Sequence, residues 1–251
     1  MNDKILEKIR EKREFSQLPE KDIEIAFSRF EKRQASEEEK INLAKELLRK
    51  VFSAFISKKL LSLKNKEPEW VLRKHISTRE RMPYYKEIYK KFFEGYAKAS
   101  VIDLGAGING FSYKFFGRDI KYIAIESIGQ LVELMNFYFK QDKINGKAVH
   151  LSLFEKEKVI EIIKREKKPR IVFMFKVIDA LESLMPNYSK ELISEIAQVS
   201  DKIIVSFATK SLGSRERFKA KRNWILDFIH TNFNVMGDFE LGGERYMIFG
   251  K

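Results

Sequence analysis

The stretch Val101-Ile102-Asp103-Leu104-Gly105-Ala106-Gly107-Ile108-Asn109-Gly110-Phe111 constrains this chain more than any other part of it. It reads as a buried strand, a glycine turn and a helix start. Glycines permit backbone conformations and close approaches that a Cβ forbids, and a helix start attracts negative charge. A strand that enters such a turn opens a β/α unit, and the chain beyond residue 98 repeats that unit. Short apolar runs at 100–104, 121–125, 148–152, 170–175 and 202–207 alternate with helical stretches near 110–117, 128–140, 155–167, 184–198 and 215–231. Alternation of this kind predicts an α/β fold, a parallel sheet with helices on both faces. The end differs: 234–241, a Gly242-Gly243 turn and 245–249 read as a β-hairpin.

Residues 1–97 show helical periodicity and little β character. Ile5 and Ile9, then Ile23, Phe27 and Phe30, fall at helical spacings, and 41–63 is a long amphipathic pattern. Ser36 with Glu39 fits a capping box that opens it. The expected organisation is therefore an all-helical extension over 1–97 and a sheet domain over 98–251. A length of 251 residues with 44% hydrophobic content accommodates both. No apolar run approaches the roughly 20 residues of a membrane span, and the charged start lacks the apolar core of a signal peptide. A cytoplasmic monomer with no membrane partner is expected.

The 49 Lys+Arg exceed the 36 Asp+Glu, for a formal charge of +13. That excess points to a polyanionic partner, nucleic acid above all, with a merely solubilising surface as the alternative. The absence of cysteine excludes disulfides and thiolate metal sites, and His75, His150 and His230 are too scattered for a zinc motif. No metal is expected. Abundant Lys and Glu with scarce Gln and no Cys resemble the composition of a thermophile.

Residues 105–110 satisfy G-x-G-x-x-G, which two cofactor classes share. Asp103, just beneath the turn, would repel a pyrophosphate and suits the amino group of S-adenosylmethionine. Glu126, at the end of the next apolar run, can accept both hydroxyls of a ribose in either class. The cofactor expected is S-adenosylmethionine; a dinucleotide, or a turn that needs glycines only for packing, are the alternatives. Ser152 and Leu153 on the third strand fall beside the adenine, with Phe154 able to wall the ring. The fourth strand ends in Phe175-Lys176, where ligands of parallel sheets sit, and Lys176 there could hold a phosphate or orient a base. A solvated lysine is the plain alternative. Five β/α units and a terminal hairpin match a seven-stranded class I (Rossmann-like) methyltransferase sheet.

Four segments carry a resemblance. His75-Ile76-Ser77-Thr78-Arg79-Glu80-Arg81, the glycine turn, 175–182, and Val205-Ser206-Phe207-Ala208-Thr209-Lys210-Ser211-Leu212-Gly213-Ser214-Arg215 resemble the aminoglycoside-resistance 16S rRNA (guanine-N7) methyltransferases. The likeness runs from about residue 70 to the end, and this chain looks like a diverged, housekeeping relative. It implies that Arg81 holds the methionine carboxylate, a role suited to a guanidinium fork, and that Gly105, with Ala106 and Gly107, approaches the cofactor. Glu126 stands where the family usually has Asp, Ala106 where it has Cys, and Ser152 where it has an acid beside the adenine. The Ser77 block also reads as a capping box, Ser77-x-x-Glu80, with Pro83 near a helix start.

Residues 209–222 carry Lys210, Arg215, Arg217, Lys219, Lys221 and Arg222 against one acid, Glu216. A basic loop beside a methyl donor suggests phosphate contacts with small-subunit rRNA, and Lys210, Arg215, Arg217, Lys219 and Arg222 are the candidates. Guanine N7 has an in-plane lone pair and no proton to lose, so its methylation needs alignment more than acid–base help. Phe175, Lys176 and Phe207 are the candidates at the reaction centre, Phe207 first among stacking partners for a flipped base, against the plain alternative of core packing. Cytosine N4 of 16S rRNA, a tRNA target, or an inactive assembly factor that only binds RNA are the competing readings.

Overall fold

A computed structural model describes residues 2–53, 60, 66–209 and 222–251. The chain opens with helices α1 (Asp3–Arg10), α2 (Glu20–Glu31) and α3 (Glu37–Leu48), and α3 runs on into a π-helical turn at Arg49–Ser53. Ser36 caps α3, its Oγ accepting from Glu39 N at 3.2 Å. The remainder of the amphipathic run at 41–63 lies almost wholly outside the described residues. After it come α4 (Pro68–Leu72), α5 (Ile76–Arg81) and α6 (Tyr85–Phe92). The residue at the N-cap of α5 is His75, not Ser77. Ser77 lies inside the helix, and the Thr78 hydroxyl donates to Leu72 O at 2.6 Å, which fixes the entry of the chain instead.

The apolar runs form β1 (Ser100–Leu104), β2 (Lys121–Glu126), β3 (Gly146–His150), β4 (Arg170–Phe175) and β5 (Lys202–Ala208), and the hairpin supplies β6 (Asn234–Leu241) and β7 (Glu244–Gly250). Together they make one seven-stranded sheet in the order β3-β2-β1-β4-β5-β7-β6. Strands β1 to β5 run parallel, and β7 is antiparallel to both β5 and β6. Strand β1 is buried along its whole length, the burial on both faces that makes central parallel strands unbroken apolar runs. The edge strand β6 alternates between exposed and half-buried positions.

Among the described residues, five further helices pack beside the sheet: α7 (Gly129–Gln141), α8 (Lys156–Arg165), α9 (Ile178–Leu184), α10 (Tyr188–Val199) and α11 (Asn223–Asn232). Three details depart from the sequence expectation. The helix expected at 184–198 starts only at Tyr188 and is preceded by a separate helix, α9, because Pro186 forces Met185 into an extended conformation (φ −138°, ψ 105°) and Asn187 follows in the left-handed region. The first β/α helix is a 3-10 helix, Asn109–Phe116, closed by Gly117 at φ 66°. The third strand ends two residues early, at His150, where its pairing with β2 stops at Glu126.

The chain reverses its direction of strand addition between β1 and β4. Loops leaving those two strands part in opposite directions, and a crevice opens at their carboxyl ends. The N-terminal helices are built onto that crevice. Ile9, Phe15, Leu18, Ile23 and Leu48 are fully or almost fully buried in the same continuous apolar core as the sheet. Gln130 of α7 donates to Arg13 O at 3.1 Å, and α2 packs on α9. Among the described residues no helix is long and apolar enough to cross a membrane.

Candidate active site

The crevice holds a cavity of about 130 Å³, partly open to solvent. Three carboxyl-terminal strand ends supply its floor. At the end of β1, Asp103 is 1% exposed, and its Oδ2 accepts from Asn109 Nδ2 at 2.7 Å and Tyr122 OH at 2.6 Å. Burial pushes its carboxyl up to about 6, against the pull of those two donors. Gly105 and Gly107 follow at φ 66° and 56°, a left-handed conformation that glycine adopts without strain. A Cβ on Gly105 would stand 2.7 Å from Val177 Cγ2, so the turn and the loop after β4 meet only because this residue has no side chain.

At the end of β2, Glu126 locks the glycine turn from the other side. Its Oε2 accepts from Gly107 N at 2.7 Å and its Oε1 from Ile128 N at 2.9 Å. A carboxylate oxygen can accept more than one hydrogen bond. Burial raises this carboxyl's pKa, and the backbone donors oppose the rise.

A buried ion-pair cluster forms the third wall. Arg81 leaves α5 and donates to Glu244 Oε1 at 2.8 Å and to Asn109 Oδ1 at 3.3 Å, with its guanidinium 4.6 Å from the centre of the Phe175 ring. Its Nε is buried without a hydrogen-bond partner. Glu244, at the start of β7, also accepts from Ser206 Oγ and lies 3.3 Å from Lys176 Nζ through its Oε2. Burial works against the Glu244 charge, but Arg81 and Lys176 outweigh it and hold the carboxyl below its usual range. Lys176 itself sits at φ 56° just past β4, and its Nζ donates to Glu80 Oε2 at 2.9 Å. Left-handed backbone in a non-glycine residue is uncommon and costs energy that surrounding contacts must offset. Here the Lys176 N–H is held by Ser206 O and Ser206 Oγ, both at 3.1 Å.

The structure brings together Arg81, Asp103, Gly105, Ala106, Gly107, Glu126, Leu153, Phe175 and Lys176 around one cavity. It does not bring in the others. Phe207 is 3% exposed and lies outside the cavity, with the Arg222 guanidinium 5.4 Å from its ring centre. Its burial, with Arg245 of β7 as cross-strand neighbour, makes it a packing residue. Phe111 likewise stacks on Tyr138 at 4.5 Å between ring centres. Ser152 is fully buried behind the wall and donates to Asp22 Oδ1 at 2.9 Å, because β3 ends before it. Arg222 is bound to both carboxylate oxygens of Asp179, at 3.1 and 2.6 Å, and to Ala208 O, so its guanidinium serves a structural contact. Lys210, Arg215, Arg217 and Lys219 lie outside the described residues.

Asp22, His75, Asn109 and Glu244 also line or hold the cavity, and the sequence reading assigned them no role. Two carried a signal: Asp22 interrupts the apolar face of an amphipathic helix, and Glu244 follows a glycine pair at the mouth of a hairpin. His75 is drawn down to about 3 by burial, then by Arg81 and Lys176. Its unfolded value near 6.5 means that unfolding takes up a proton below that pH. His75 therefore costs stability as pH falls from 6.5 toward 4. His75→Gln should flatten that loss in urea unfolding measured at both pH values, by about 1 kcal/mol or more.

The strand order, the reversed β7 and the acid-lined crevice define a class I methyltransferase fold. Within that class, the chain belongs to the ribosomal RNA methyltransferase (FmrO) family, whose model matches residues 44–223. It is similar to the 16S rRNA (guanine(1405)-N(7))-methyltransferase of Micromonospora rosea, 24% identical over 148 residues that cover 57% of this chain and 50% of that protein. The enzyme of the same description from Frankia casuarinae is 27% identical over 177 residues, 62% of this chain and 57% of that one. The chain spans about half the length of these curated relatives. In shape it is similar to the crystal structure of 16S rRNA methyltransferase RmtF in complex with S-adenosyl-L-homocysteine, with a TM-score of 0.84 at 17% identity over 100% of this chain and 99% of that one.

Proposed function

We propose that this chain is an S-adenosylmethionine-dependent methyltransferase that modifies a base nitrogen of small-subunit rRNA, guanine N7 in the first place. One observation carries the reading. The cavity at the β1/β4 switch point sets an acid beneath a glycine turn, a second acid after β2 and a buried guanidinium with an unpartnered N–H around one space. Those groups match an amino group, a ribose diol and a carboxylate in turn. Asp103 would face the amino group, the Glu126 carboxylate the hydroxyls, and Arg81 Nε the carboxylate. A pyrophosphate has no comparable place, since Asp103 and Glu126 both stand at the turn that would have to receive it.

When bound, S-adenosylmethionine supplies an electrophilic methyl group on a sulfonium. The residues of the chain bind, orient and exclude water. Phe175 and Lys176 close the β4 side of the cavity, where the acceptor base would enter. Lys176 Nζ lies between Glu80 and Glu244, an ammonium held in ion pairs. Such a group is fit to orient an anion or a carbonyl. That suits guanine N7, which has no proton to lose, better than an exocyclic amine. The basic segment 209–222, the charge of +13 and the family together support a ribosomal RNA partner. The division of labour proposed is a helical extension, 1–97, that docks on folded rRNA and a domain, 98–251, that holds the methyl donor. Titration calorimetry with S-adenosylmethionine tests the cofactor: one-site binding is expected, and a folded sample that binds nothing contradicts the proposal.

A further inference from the structure

The helical extension reaches into the cofactor cavity itself. Asp22 of α2 is 1% exposed and lines the cavity with Ser127, Leu153 and Phe154. Its neighbours Ile23, Ile25 and Ala26 are buried apolar groups, so this is a carboxyl inserted into an otherwise hydrophobic seam. One oxygen, Oδ1, accepts from Ser152 Oγ at 2.9 Å. The other, Oδ2, is buried with no hydrogen-bond partner. Ser152 cannot serve the cavity in its place, because its hydroxyl is fully buried, donates to Asp22 and accepts from Phe154 N at 3.1 Å. A buried acceptor without a donor is costly, and native proteins seldom leave one without a purpose. Burial also pushes the Asp22 carboxyl up to about 7, although the Ser152 and Ser127 hydroxyls pull the other way.

We propose that Asp22 is a cofactor-selecting residue: its Oδ2 accepts the exocyclic amino group of the adenine. The assignment rests on the cofactor proposed above and extends it, since it makes the helical extension part of the cofactor site. Asp22 stands close enough to Ser127 and Glu126 to feel both, so the orphaned acceptor lies near the acid assigned to the ribose. A purine held at its ribose by Glu126 would present its six-position substituent away from the sugar. An amine there satisfies Oδ2. A purine without a donor there would leave Oδ2 unpaired, and a site built for a hydrogen-bond donor rejects a ligand that lacks one. Just past the third strand this chain carries Ser152, and an acid from a different element stands behind that serine.

The test compares two ligands that differ only at that position, S-adenosylhomocysteine and its analogue with hydrogen in place of the six-amino group, by calorimetry on the full chain. The native chain should prefer the adenosyl ligand by about tenfold or more. Asp22→Ala should reduce that preference to within about threefold, by weakening the adenosyl ligand selectively. A purely structural role for Asp22 would lower both affinities in proportion and leave the ratio unchanged, which overturns the assignment. Asp22→Asn, nearly isosteric, is measured in the same way in case the alanine variant does not fold. The native chain decides on its own if neither folds: equal affinity for the two ligands overturns the assignment, and strong discrimination supports it. A folded native chain that binds neither ligand contradicts the cofactor reading itself, and this assignment with it.

Discussion

Arg81→Ala is expected to lower the stability of the protein by about 3–5 kcal/mol, or roughly 6–20 °C in melting temperature for a chain of this size. The side chains of Arg81 and Glu244 are 2% and 3% exposed, 2.8 Å apart, and surrounded by Phe175, Tyr85 and Tyr246. Removing the guanidinium leaves the Glu244 carboxylate buried with only Ser206 and Lys176 against it. Removing both charges is a milder change than removing one. The double variant Arg81→Met, Glu244→Gln should therefore recover much of the stability in urea unfolding. It should not recover affinity for S-adenosylhomocysteine, if Arg81 Nε receives the ligand's carboxylate. Recovery of both would reduce Arg81 to a structural residue.

The second large effect is expected at Glu126. Glu126→Ala should weaken S-adenosylhomocysteine binding by about a hundredfold or more, since hydrogen bonds to a charged acceptor contribute about 1.5–3 kcal/mol each. It also frees the Gly107 and Ile128 N–H groups that the carboxylate now holds. A stability loss of about 1–3 kcal/mol should therefore accompany it. The two effects separate by ligand. An analogue whose ribose lacks both hydroxyls should bind the native chain weakly and the variant almost equally weakly. An unchanged affinity for the complete ligand would remove Glu126 from the ribose site.

Both predictions rest on residues of different legibility. Asp103, Gly105 and Glu126 could be read because a local pattern generates them: a strand, a turn whose backbone needs glycine, and a second strand end. The parallel strands β1, β4 and β5 were legible for a related reason, since burial on both faces leaves unbroken apolar runs. Asp22 and Glu244 were not. Each is separated from its partners by more than a hundred or nearly forty residues, as in the contacts Ser152–Asp22 and Ser206–Glu244. No local period announces such a meeting. Ser152 was placed at the adenine from its position in a strand, and β3 ends just before it, so the side chain turns into the wall. Phe207 failed for a complementary reason. An aromatic residue at the end of a central strand is as well suited to core packing as to a ligand, and only its burial and its place outside the cavity decide between them.

The measurement that bears most directly on the account is methyl transfer to a defined substrate. Purified protein, S-adenosylmethionine and small ribosomal subunits that have not met the enzyme are incubated together, and the nucleosides of the 16S rRNA are identified by mass spectrometry. One new 7-methylguanosine per subunit is expected, lost with Glu126→Ala. No methyl incorporation by a protein that binds S-adenosylmethionine, or a methyl group found only on cytosine N4 or in tRNA, would contradict it.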